Sequence, residues 1–304
     1  MKKLINLFSA IAIAMAVVSC SSNDEETARS PYAGQELKFN VSVKGMEGLS
    51  TRVAANNSGI IHNTLLAGTQ FSVFVYTSTA WGAEGTLKYN SDGSTSWVGD
   101  AVYFPPITPS TFAAISPAMS NIMSTLTYDG VSIQADQSTI ENYTKSDYLF
   151  FLYGKESPIS NPIDIEFEHI CAKIVVNLIL DTEFNDMQSY FTTKMKNISL
   201  TGLWDRNDGL TVKEGSSTSD ITFGKGSSLT AVIIPQTINS GADLFEFSYY
   251  SSVYKFKAPE TFNFVGGHTY TFNISIKNGK VSSESVSVSG WTNEDPKSGD
   301  ATKS

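Results

Sequence analysis

The chain has 304 residues, of which 41% are hydrophobic and 17% charged, with a formal net charge of −9 at pH 7. An acidic balance without a basic cluster argues against nucleic acid or an anionic lipid surface as partner. Aromatic residues make up 12%, and the polar positions are filled by Ser, Thr and Asn more than by ions, the composition of an extracellular β protein.

Residues 1–19 read as a targeting segment, with Lys2 and Lys3 as the positive end and Leu4 to Val18 as the apolar stretch. The segment closes on Val17-Val18-Ser19-Cys20, the pattern of a bacterial lipobox, so Cys20 is the expected lipidation site and the new N-terminus. Loss of Lys2 and Lys3 with the signal takes the charge from −9 to −11. No later stretch has the roughly 18 apolar residues of a spanning helix, which predicts a chain anchored to a membrane by lipid. Residues 20–36, polar and containing Asp24, Glu25, Glu26, Pro31 and Gly34, read as a flexible tether.

Leu37, Phe39, Val41 and Val43 then alternate with Lys38, Asn40, Ser42 and Lys44, the period-2 signature of a half-buried strand. Gly45 and Gly48 release the chain into a loop, where Ser50-Thr51-Arg52-Val53 offers a trypsin-like protease an accessible Arg52–Val53 bond. Cutting there detaches the strand at residues 37–45 from everything after it. The groove and unpaired edge left behind could accept a strand from another chain.

Further along, Phe71, Val73 and Val75 alternate, and two short strands around Val102 to Phe104 and Phe112 to Ser116 are each stopped by proline. Asp147 to Tyr153 (DYLFFLY) is an apolar run that suits a strand buried on both faces. Ser157 to Pro162, with two prolines, marks the expected junction between domains at 37–162 and 163–304. Beyond it Ile163, Ile165, Phe167 and His169 alternate, then Ile174, Val176, Leu178 and Leu180, so a bulge or corner near Ile170 to Lys173 must shift the phase. Phe184, Met187 and Phe191 are spaced as on a short helix capped by Asp181 or Thr182. Strands follow at Met195 to Leu203, Leu229 to Ile234, Leu244 to Tyr250 and Val253 to Lys257. A hairpin turns at Asn278-Gly279 between Tyr270 to Ile276 and Val281 to Ser289. The length exceeds what one core usually covers, and regularly spaced strands with very little helix predict an all-β fold of two antiparallel β-sandwich domains.

Chemistry is sparse. With Cys20 assigned to lipid, Cys171 stands alone in an apolar strand and reads as a core residue, with no disulfide available. His62, His169 and His268 fit no metal-ligand spacing, so no metal or other cofactor is expected. No Ser, Cys or His lies in a nucleophile motif and no carboxylates are spaced for acid–base work, so the sequence does not read as an enzyme.

In family order the chain carries the lipobox, LKFNVSV followed by Thr51-Arg52, GTQFSVFVY (68–76), VYFP (102–105), DYLFFLY, FEHICAKIVVNL (167–178), LTGLW (200–204), Ile233 to Gln236, GGHTYTFNISI (266–276) and Val288 to Trp291. On these it resembles the fimbrillin family, lipoprotein subunits of the type V pili of Gram-negative anaerobes. The resemblance implies two transthyretin-like β-sandwich domains, export as a lipid-anchored outer-membrane precursor, removal of the first strand by an arginine-specific protease, and assembly with other fimbrial subunits by strand donation. Stalk subunits of that family carry extra C-terminal strands, whereas Thr292 to Ser304 is polar, so an accessory or tip role is expected ahead of a stalk role unless Val281 to Ser289 donates. The alternative is a surface glycan-binding lipoprotein that stacks sugars on Trp81, Trp97 and Trp204; two or more of these coplanar on one exposed surface would favour it.

Overall fold

The computed structural model describes residues 30–44, 65–77, 81–106, 109–119, 127–153, 160–181, 187–205, 208–277 and 280–291. In chain order the strands are β1 (Phe39–Val43), β2 (Gln70–Thr77), β3 (Trp81–Tyr89), β4 (Thr95–Val98), β5 (Pro109–Ser116), β6 (Thr127–Ser132), β7 (Leu149–Tyr153), β8 (Ile163–His169), β9 (Ala172–Leu180) and β10 (Thr192–Ser199). They continue as β11 (Thr201–Asp205), β12 (Gly209–Val212), β13 (Thr218–Thr222), β14 (Ser228–Ile233), β15 (Gln236–Ile238), β16 (Asp243–Tyr249), β17 (Ser252–Lys257), β18 (Phe262–Phe264), β19 (His268–Lys277) and β20 (Lys280–Gly290). The fold is the all-β arrangement of packed sheets that the alternation predicts.

One sheet has seven strands in the order β1-β8-β7-β5-β2-β3-β4. The others run β14-β9-β19-β20, β13-β10-β16-β17, β12-β11-β6 and β15-β18. Two pairs depart from the antiparallel expectation, because β1 runs parallel to β8 and β9 parallel to β19. Parallel neighbours need a long crossover, and here more than a hundred residues separate β1 from β8.

The predicted boundary at 162/163 falls inside the seven-stranded sheet. Ile163 to His169 pairs with β1 on one side and, through Leu149↔His169, with β7 on the other. The phase slip seen in the sequence is a corner: β8 ends at His169, Ile170-Cys171 turns, and β9 enters a different sheet. Gly266 is packed so closely against this corner that a Cβ there would collide with the Ile170 carbonyl oxygen.

Each face of the seven-stranded sheet meets its own apolar cluster. Phe71, Val73 and Val75 of β2 join Leu37, Phe39, Val43, Phe104, Ile165 and Phe167 in one. Phe74, Ala113 and Ile115 face the other way, into a larger core with β9, β14, β16 and β19. β7 follows the same rule, with Leu149 and Phe151 on the first cluster and Phe150 on the second, while Leu152 is exposed rather than buried as its apolar run suggests. Trp204 is fully buried, 4.8 Å from the Phe150 ring.

Among the described residues the α-helix is α1 (Ile140–Ser146), capped by Thr139, whose hydroxyl accepts from the Asn142 N–H at 3.2 Å. Only Tyr143 and Ser146 are buried, too little periodicity to be visible in sequence. The helix expected between Asp181 and Phe191 lies partly outside the described residues, at 182–186; within them Gln188–Tyr190 forms a single 3₁₀ turn.

Candidate functional site: the N-terminal edge segment and its groove

Residues 30–44 run along one margin of the molecule and are held by two successive ladders. In the first, the Ser30 N–H donates to the Pro106 carbonyl at 3.1 Å, Gly34 N–H to Phe104 O at 3.0 Å, Phe104 N–H to Gln35 O at 2.9 Å and Leu37 N–H to Val102 O at 2.9 Å. Gly34 has φ +75°, which lets the chain turn tightly at Tyr32 to Gln35 without a Cβ penalty. The stretch read as a tether is thus structured from Ser30 on, because its backbone groups find partners at residues 102–106.

Asn161 joins the two ladders. Its Oδ1 accepts from Lys38 N–H at 3.1 Å and its Nδ2 donates to Glu36 O at 3.1 Å. The second ladder is β1 on β8, in register from Phe39↔Ile163 to Val43↔Phe167, with Lys44 N–H on Phe167 O at 2.7 Å. β1 ends the sheet order and has one strand neighbour among the described residues. Across the same pair the Asn40 amide donates to Asp164 at 2.8 Å and the Lys44 ammonium meets Glu168. The Glu168 carboxylate raises the Lys44 pKa, but both side chains are exposed, so the pair adds little.

Side-chain burial does the holding. Leu37 is 1% exposed, Phe39 7% and Val43 5%, while Val41 is half-buried against the same cluster. The Phe39 ring meets Trp97 edge-on at 6.1 Å, and Trp97 Nε1 donates to Glu36 at 3.0 Å. Of the residues singled out in sequence, Phe39, Val41 and Val43 on β1 and Leu37 just before it are therefore brought together at one apolar cluster with Phe71, Val102, Ile163, Ile165 and Phe167. Cys20, Arg52, Val53 and His62 lie outside the described residues.

Cys171 is buried, its Sγ 3.5 Å from the Ser146 carbonyl, and burial pushes the thiol far above its ordinary range. His169 Nδ1 lies 2.9 Å from Asp147 while its ring stacks on Trp291 at 3.7 Å, and His268 Nδ1 lies 2.9 Å from its neighbour Gly266 O. Among the described residues no three His, Cys, Asp or Glu side chains gather as a metal site. Of the three tryptophans of the glycan-binding alternative, the side chains of two are described, and neither is openly exposed. Trp204 is in the core because β11 carries it inward against Phe150, and Trp97 is half-buried on Phe39.

A model of a family described as fimbrillin-like matches residues 51–291. Among solved structures, a protein from Bacteroides ovatus named for cell adhesion superposes with a TM-score of 0.61 at 16% identity, covering 88% of this chain and 100% of that one. A second so named, from Bacteroides uniformis, has a TM-score of 0.61 at 16% identity, covering 84% of this chain and 99% of that one. A fimbrial protein from Bacteroides ovatus matches at 15% identity with a TM-score of 0.47, covering 82% of this chain and 50% of that one. A search of the curated proteins returned no match. The family match spans most of the sequence, and the chain belongs to the fimbrillin-like family.

Proposed function

We propose that the chain is a structural subunit of a surface fimbria, exported as a lipoprotein on Cys20 and assembled when cleavage after Arg52 frees its first strand for exchange. The observation that carries this reading is β1 itself: a terminal strand with one neighbour among the described residues, two buried apolar side chains with a third, Leu37, just before it, and a connection to β2 that runs through the segment containing Arg52. Full burial of such side chains is worth roughly 1.5 to 3 kcal/mol each, so an intact chain keeps its groove filled. A cut connection removes the high local concentration of β1, and a strand from another subunit can then recover the same burial and backbone ladder.

Within the fimbria the chain takes an accessory or tip position. Val281 to Ser289, the donor alternative, is engaged in β20, paired with β19 from His268↔Gly290 to Lys277↔Lys280, which supports a subunit that accepts a strand without giving one. We divide it into two sandwich lobes meeting at Ile170-Cys171, where the chain passes from one sheet to another. No helix among the described residues is long and apolar enough to cross a membrane, consistent with attachment through lipid. The reading assigns no enzymatic role and places the partners as other fimbrial subunits and an arginine-specific protease.

The test is Arg52→Ala exposed to an arginine-specific protease, followed by negative-stain imaging with partner subunits. Loss of both processing and incorporation is expected. Normal incorporation of an unprocessed Arg52→Ala chain would overturn the exchange mechanism, and long homopolymers of the processed wild type would overturn the tip position.

A further inference from the structure

The hairpin between β16 and β17 closes in two residues, since Tyr249 pairs with Ser252. Tyr250 takes the first of these positions with φ +50°. Such turns call for positive φ, which Asn, Asp and Gly supply cheaply and a bulky L-residue does not. The strained residue also displays its ring, which is 86% exposed. A side chain held outward at a conformational cost is a signature of function rather than of packing.

The ring stands on a firm aromatic base. Tyr249 meets Tyr250 edge-on at 4.7 Å and 89°, and stacks on the buried Phe191 at 4.9 Å and 19°. The Tyr249 hydroxyl reaches Met187 Sδ at 3.2 Å, which fixes the platform further. Tyr190, immediately before Phe191, is 63% exposed. Residues 187–191 and 247–254 contain no charged side chain, in a chain of net charge −9, and instead bring serine and tyrosine hydroxyls.

Open ring faces suit the C–H face of a sugar, the hydroxyls can exchange hydrogen bonds with sugar hydroxyls, and no ion has to be stripped of water. An acidic or basic ligand would find no counter-charge in these two stretches. We infer that the β16–β17 hairpin tip is a binding site for neutral glycans, with Tyr250 and Tyr190 as its stacking faces. The site uses none of the residues of β1 or the Arg52 loop, so it stands or falls separately from the strand-exchange reading.

The test applies the purified full chain to an array of neutral glycans together with their sialylated and sulfated counterparts. Retention of neutral members is expected. Tyr250→Ala and Tyr190→Ala should each weaken it roughly tenfold or more, as for a buried aromatic anchor in a complex, while Tyr250→Trp should preserve it. Tyr250→Asn suits the turn and should unfold at a temperature no lower than wild type while losing glycan retention. The inference is overturned if no neutral glycan is retained, if only acidic members are, or if Tyr250→Ala binds as wild type does. It is equally overturned if Tyr250→Asn is clearly destabilised, which makes the ring structural, or if sedimentation shows a Tyr250-dependent dimer in place of glycan binding.

Discussion

Phe39→Ala tests whether β1 is held as a separable strand. Phe39 is 7% exposed and contacts Trp97 edge-on at 6.1 Å. Truncating a buried phenylalanine to alanine costs roughly 3–5 kcal/mol, of which an edge-to-face partner accounts for about 0.5–1.5 kcal/mol. At about 1.4 kcal/mol per decade, the opening equilibrium of β1 should rise by roughly two to three and a half decades. Native-state hydrogen exchange reads this directly at the amides of Leu37 and Lys44, which donate to Val102 O and Phe167 O. In the wild type these amides should open at a free energy well below that of β9 and β19, because an edge strand with one neighbour among the described residues can leave while the central sheet stays intact. Equal opening free energies for β1 and β9 in the wild type would refute the reasoning, as would less than a tenfold change at Leu37 in the variant.

Two further outcomes follow from the packing and the charges. Gly266→Ala should lower stability by about 1–3 kcal/mol in urea unfolding, because the added Cβ would drive the Ile170 carbonyl away from the β8–β9 corner; a neutral result would show that the corner yields freely. Asp220 loses solvation on folding, which raises its pKa. The Lys196 ammonium at 2.6 Å and the Asn197 N–H at 3.3 Å outweigh that and leave it below the ordinary carboxylate value. A carboxyl with a lowered folded pKa adds stability above its unfolded pKa and loses it as pH falls through the folded one. The stability difference between wild type and Asp220→Asn, on the order of 1 kcal/mol, should therefore be constant near neutrality and vanish as pH drops below the ordinary aspartate range and through the lowered folded pKa. A difference that persists in acid would assign it to packing.

Local alternation was legible wherever one face of a strand is buried. Phe39 and Val43, Ile163 to His169 and Ala172 to Leu180 all show their inward positions in the sequence, because a period of two leaves no other face for the apolar set. The hairpin at Lys277↔Lys280 and the single core cysteine were equally open to reading. Partnership was not. Parallel pairing of β1 with β8, across more than a hundred residues, follows from how the sheet closes and leaves no local mark, so the restart of alternation at Ile163 looked like a new domain when it was the strand that receives β1. Trp204 and Tyr250 show the same limit from opposite sides. Both are large aromatics in strand-rich stretches, yet the first is sealed against Phe150 and the second stands in solvent at a hairpin tip. Burial is a property of what packs above a residue, and only the assembled sheets decide it.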